Sequence, residues 1–412
     1  MTSRCHPDHR VLLLGCALLL ACNEGSVGSG TDAAADGGPA DAALDAPRDQ
    51  LDGPDATAGD GARRDAGADA AGPGDATGEG AALDAVPADL SGDATSWLAS
   101  VSCSTPPPPG AQLAAPLPTY RGTCPTLTAG SNTLTSSGAR RRFILVLPSK
   151  ILPGERFPVL FMWHWLKGSA SSFLKKGEIQ KAADQQRFIG VIPEAKGDLS
   201  LFGLIELPWP FATFNSNKRM AEEYTFFDDM LACVGAQYKV NKECVSTAGV
   251  SAGALFTVQL AGARSRHLSS FISLSGGIGS GGIVNSFIRT WTSPAHKMPA
   301  LVLWGGPLDS CILLNFQSAS VELQKKLTAA NHFQVECIHN CRHGEPPVVP
   351  PPGKSRYGPL WDFAFDHPYW LKPNQSPLQV SGWDKSIIPW CGIGAGSAKI
   401  RTGKCDPPGC PL

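Results

Sequence analysis

Five consecutive residues, Gly249-Val250-Ser251-Ala252-Gly253, constrain this chain more than any other stretch. Upstream, residues 244–248 read as a short buried strand, and downstream, residues 252–262 carry apolar side chains at helical spacing. A turn tight enough to join the two has no room for bulky neighbours, so glycines flank the serine and its hydroxyl is left standing at the end of a sheet. In a chain with 45 Gly the pentapeptide alone also matches an ordinary glycine-rich turn, so its reading depends on what surrounds it.

What surrounds it is an alternation of short apolar runs and helical patterns. Residues 143–147, 159–164, 188–192, 271–274, 300–304 and 333–338 read as strands. Residues 172–187, 221–238, 316–330 and 358–370 read as helices. Such alternation implies an α/β fold with a mostly parallel sheet and helices on both faces.

A serine hydroxyl is a poor nucleophile at neutral pH, so it needs a base to take its proton and a third group to orient that base. In doubly wound hydrolases the chain order is Ser, then Asp or Glu, then His, the last two on loops after later strands. Asp309 follows the strand at 300–304 through Gly305-Gly306-Pro307-Leu308, and His343 follows the strand at 333–338. His339 is the rival base, closer to the strand end; loop position favours His343.

Residues 140–371 resemble the secreted esterase group that includes polyhydroxybutyrate depolymerases and feruloyl or acetylxylan esterases. The landmarks are Arg142-Phe143-Ile144-Leu145-Val146-Leu147-Pro148, a first strand ending in His164, the run Phe-Ile-Gly-Val-Ile-Pro-Glu-Ala at 188–195, the serine turn, and a late His followed by Trp-x-Phe at 361–363. The resemblance implies an α/β-hydrolase fold and an exported serine hydrolase. Its substrates would be carboxylic esters, polyester or polysaccharide-linked, cleaved through an acyl-enzyme with Ser251, Asp309 and His343 as catalytic residues. Where the group has His-Gly after the first strand, this chain has His164-Trp165-Leu166-Lys167 before Gly168. A backbone donor survives any side chain, so the oxyanion hole is expected from the N–H of Ala252 with that of Trp165 or Leu166; losing one such donor costs about 2.7–4 kcal/mol. Trp165 either walls the acyl pocket or obstructs it, and obstruction would leave a catalytically silent surface-binding module with the same fold. His164 reads as a structural hydrogen-bonder, and Trp209, between Pro208 and Pro210, as a substrate-facing aromatic.

The N-terminus has a basic region at 4–10, an apolar run at 11–21, and Leu19-Leu20-Ala21 before Cys22. It resembles a bacterial lipoprotein signal peptide, residues 1–22, cut before Cys22 with lipid attached there. A run this short does not span a bilayer, so the membrane contact expected is through the lipid only. The protein is then exported, as an outer-membrane or cell-surface lipoprotein, or else periplasmic or secreted. Residues 23–95 are Asp, Ala, Gly and Pro without apolar periodicity and read as a disordered acidic tether. Residues 96–138 read as an irregular lead-in pinned by Cys103 and Cys124, and 139–412 as the catalytic domain, ending in an irregular Cys-containing tail.

The overall net charge of −1 hides an asymmetry. Residues 23–95 carry 16 acidic and 3 basic residues, whereas 96–412 hold 30 Lys and Arg against 19 Asp and Glu. That basic domain shows no Lys/Arg block interleaved with aromatics, so a nucleic-acid partner is not expected. Ten cysteines from Cys103 onward, an even number in an exported chain, favour disulfides, with Cys233–Cys244 the attractive local pair. Cys337, His339, Cys341 and His343 alternate like metal ligands on a strand, but oxidation of the cysteines is the simpler expectation, and no metal is expected. Gly277-x-Gly279-x-x-Gly282 lacks the acidic residue a dinucleotide fingerprint needs about 20 residues on, so no cofactor is expected either. Glu222, Glu223, Asp228 and Asp229 read as the solvated face of a helix.

Overall fold

The computed structural model describes residues 96–201, 203–281, 285–405 and 409–410. All fall in one compact unit, Leu83–Leu412. The expected signal peptide with Cys22 and the acidic segment at 23–95 lie outside the described residues.

After a 3₁₀ turn at Ser96–Ser100, the elements run β1 (Gly130–Ser136), β2 (Ala139–Val146), β3 (Phe157–Trp163), α1 (Ala170–Lys176), α2 (Ile179–Gln186) and β4 (Ile189–Pro193). A small hairpin follows, β5 (Leu199–Leu201) and β6 (Ile205–Leu207), then α3 (Asn217–Gln237), β7 (Val240–Val250), α4 (Ala252–Ala263), β8 (Ser270–Leu274) and β9 (Ala300–Trp304). A second hairpin, β10 (Ser310–Cys311) and β11 (Leu314–Asn315), leads into α5 (Phe316–Ala329), β12 (Gln334–Ile338), α6 (Gly358–Phe365), α7 (Leu378–Ser381) and β13 (Cys391–Ile393).

Nine of these strands form one sheet in the order β1-β2-β4-β3-β7-β8-β9-β12-β13. The six from β4 to β12 are parallel, and antiparallel pairs close both edges. Alternate side chains along each central strand feed opposite faces. Val159, Phe161 and Trp163 join Val302 and Trp304 in one core with α3, α4 and α5, while Leu160 and Met162 join Leu301 and Leu303 in the other with α1, α2 and α6. A sheet covered on both sides needs strands apolar throughout, and β4, β8 and β9 are buried at every position.

Several expectations need correction. The helix expected over 172–187 is two: Gly177 caps α1, and Glu178, at φ 50°, turns the chain into α2. The lead-in is not wholly irregular, because β1 lies within it, and the C-terminal tail supplies β13. Glu223 is not on a solvated face; it is fully buried, held by Arg141 at 2.9 Å and Arg219 at 2.7 Å. Cys233 and Cys244 do not pair, because they sit in the cores on opposite faces of the sheet. Cys244 bonds Cys103 and Cys233 bonds Cys124, so the lead-in is pinned to β7 and α3 and not to itself. The tail is tied down by Cys311–Cys410, Cys337–Cys391 and Cys341–Cys405. Cys337 and Cys391 face each other in the β12–β13 register.

Candidate active site

Ser251, Ser275, Asp309 and His343 follow β7, β8, β9 and β12, so four parallel strands deliver polar side chains to one carboxyl edge of the sheet. Ser251 has φ 55° and ψ −120°, a strained conformation, and its N–H is tied to the Leu274 carbonyl at 2.9 Å. The flanking glycines have a steric cause. A Cβ at Gly249 would lie 2.3 Å from the Gly253 carbonyl oxygen, and one at Gly253 would lie 2.0 Å from that of Trp163. The start of α4 therefore packs directly on the end of β3.

His343 Nε2 is 2.7 Å from Ser251 Oγ, and its Nδ1 is 2.7 Å from Asp309 Oδ1. The Asp309 carboxylate is fully buried, and its Oδ2 accepts from Ser275 Oγ at 2.8 Å and from the Gly305 N–H at 2.7 Å. Phe316 stacks on the His343 ring, with centroids 4.0 Å apart and planes at 20°, which fixes the imidazole in its plane. The loops carrying acid and histidine are joined by the Arg342 N–H to the Gly305 carbonyl, at 3.1 Å. This is a continuous path from hydroxyl to imidazole to carboxylate, the arrangement that can draw a proton from a serine.

His339 is not on that path. It is fully buried, its Nδ1 accepts from the Cys341 N–H at 3.1 Å, and burial pushes its pKa down to about 4. Cys341 and Cys337 are both spent in disulfides, with different partners.

Ala252 is the first residue of α4, so its N–H has no acceptor within the helix. Trp165 and Leu166 sit in a turn closed by the Gly168 N–H on the Trp165 carbonyl, at 2.9 Å, next to the contact between α4 and β3. The Trp165 ring packs against Phe173 and forms one wall of a cavity of about 120 Å³ that opens on Ser251 and His343, so it walls the pocket and leaves the hydroxyl open to it. His164 binds the Trp165 carbonyl through Nδ1 at 3.0 Å, and burial lowers its pKa.

Trp209 is packed inside the core and is not the expected substrate-facing aromatic: it is fully buried, edge-on to Trp163 at 4.9 Å, and its indole N–H donates to the His164 carbonyl at 2.8 Å. A buried indole needs an acceptor, and the carbonyl at the end of β3 supplies one. Trp209 thus braces the loop that bears Trp165 and Leu166. The sequence reading missed Ser275 and Phe316. Ser275 carried a usable signal, since it directly follows a strand at the same edge as Ser251; Phe316 carried none beyond its place at a helix start.

No protein-family model matches the sequence, and no curated protein matches it. Solved structures do. The chain is similar to a pOPH variant in complex with pNPB, with a TM-score of 0.56 and 14% identity over 69% of this chain and 100% of that one. It is also similar to native sOPH, with a TM-score of 0.53 and 17% identity over 69% of this chain and 99% of that one. A ferulic acid esterase from Anaeromyces mucronatus is a more distant likeness, with a TM-score of 0.40 and 16% identity over 53% of this chain and 86% of its own. With the sheet order, the first two likenesses establish the α/β-hydrolase fold, and at these identities the fold is what they establish.

Proposed function

We propose that the protein is an exported serine hydrolase that cleaves carboxylic esters through an acyl-enzyme. The observation that carries this reading is the hydrogen-bonded path from Ser251 through His343 to the buried Asp309, assembled from three separate loops. In the first half-reaction the Ser251 hydroxyl passes its proton to His343 Nε2 as Oγ attacks the ester carbonyl. The resulting oxyanion is held by the N–H of Ala252 with that of Trp165 or Leu166. His343 returns the proton to the departing alkoxide, and Ser251 keeps the acyl group. Water then takes the alcohol's place and gives a proton to His343 as its oxygen bonds the acyl carbon; the acyl–Oγ bond breaks, the acid leaves, and His343 returns that proton to Ser251 Oγ. Asp309 holds the imidazole with Nδ1 protonated and stabilises its transient positive charge.

Export is supported by five disulfides, which persist in oxidising compartments. Among the described residues no helix is long and apolar enough to cross a membrane. We read attachment as lipid on Cys22, followed by the acidic tether at 23–95. The test is hydrolysis of p-nitrophenyl butanoate by the wild type and by Ser251→Ala. The wild type turns the ester over, and Ser251→Ala, with an unchanged circular dichroism spectrum, loses roughly 10⁴-fold or more. Comparable rates from the two would sink the proposal.

A further inference from the structure

Among the described residues, two distinct cavities open on Ser251. The larger, about 120 Å³, includes His343 and is walled by Trp165, Phe173, Tyr357 and Trp361. The smaller, about 40 Å³, includes Ala252 but not His343, and Leu207, Phe211 and Leu314 line it. Leu166 and Cys311 border both. Among the described residues lining the smaller cavity none is charged. In the larger, Lys176 and Glu345 are half-exposed and pair with each other.

An ester carbonyl attacked by Ser251 must place three groups: the oxyanion, the departing oxygen and the acyl chain. The departing oxygen has to lie within hydrogen-bond reach of His343, which delivers its proton. The alcohol therefore belongs in the cavity that His343 lines, and the acyl chain in the one beside Ala252. The acyl side is thus the smaller of the two, about 40 Å³ against about 120 Å³. We infer, resting on the serine-esterase reading above, that the substrates are esters joining a short acyl group to a longer, largely apolar alcohol.

Octyl butanoate and butyl octanoate test this cleanly. They are isomers with alkoxide leaving groups of nearly equal basicity, and they differ only in which side of the ester bears the long chain. The expected kcat/KM is at least about ten-fold higher for octyl butanoate. Leu314→Ala, which widens the smaller cavity, should shrink that ratio by raising the rate on butyl octanoate. Equal rates, a reversed preference, or a ratio unmoved in folded Leu314→Ala overturns the assignment. p-Nitrophenyl acetate separates the two levels of failure. Hydrolysis of it without the isomer preference sinks only the substrate class, whereas hydrolysis of no ester at all sinks the serine-esterase reading itself.

Discussion

Asp309→Asn changes one atom pair and should disable catalysis through a predictable amide orientation. In the native site Oδ2 faces the Gly305 N–H at 2.7 Å, a fixed donor, and Oδ1 faces His343 Nδ1 at 2.7 Å. An asparagine amide cannot turn its NH₂ toward Gly305 without setting two donors against each other in a fully buried site, which costs about 1–3 kcal/mol. Its oxygen therefore takes the Oδ2 position, where the Ser275 hydroxyl can still donate, and its NH₂ faces Nδ1. The imidazole must then carry its proton on Nε2, so it can no longer accept the proton of Ser251, 2.7 Å away. The expected loss in kcat is roughly 10⁴-fold, or about 5.5 kcal/mol of barrier, with little effect on folding because the shape is conserved. Initial rates on p-nitrophenyl butanoate between pH 6 and 9, with thermal melts of both proteins, measure it. Retention of more than a tenth of the wild-type rate by a folded Asp309→Asn enzyme would refute the tautomer argument.

Replacing each histidine separates their roles: His343→Ala should lose activity to the same degree as Ser251→Ala, while His339→Ala keeps much of the rate, and the reverse ranking would move the base to His339. Stability should fall in acid. His367 is fully buried, its Nδ1–H donates to the Phe363 carbonyl and its Nε2 accepts from Ser376, and burial pushes its pKa down to about 4. Because the unfolded value is about 6.5, the roughly 3 kcal/mol this represents is fully present above pH 6.5 and is lost as pH falls toward 4. His267, His296, His332 and His339 shift the same way, while Asp366, pushed up to about 7 by burial beside Asp362, opposes them in the same window. The urea midpoint should therefore be lower at pH 4.5 than at pH 7.5, and an unchanged midpoint would contradict this. Reduction should abolish activity where a strong chelator does not, since each bridge contributes about 2–5 kcal/mol; loss on chelation, restored by zinc, would overturn the disulfide-and-serine account.

The parts legible in the sequence were those written by local pattern. The strand Ala300–Trp304 is bounded by Pro299 and Gly305 and appears with those limits, and α5 ends one residue before its expected end. The polar path was legible because chain order and strand ends place Ser251, Asp309 and His343 on one edge. What stayed hidden depends on contacts distant in sequence. The strand β1 is polar and half-exposed at the sheet edge, so its apolar signal is faint, and β13 is three residues long beside the Cys337–Cys391 bridge. Proximity in the chain favoured Cys233 with Cys244, but the sheet stands between them. Trp209 reads as substrate-facing and Glu223 as solvated until the end of β3 and two arginines close over them.

The most direct test of the account is labelling by a fluorophosphonate, which reacts with a serine only when a neighbouring base draws off its proton. Intact-mass spectrometry and peptide mapping should show one phosphonyl group per molecule, on Ser251, with esterase activity lost in step, and no adduct on Ser251→Ala. An unlabelled, folded wild-type protein, or an adduct mapped to another residue, would contradict the central claim.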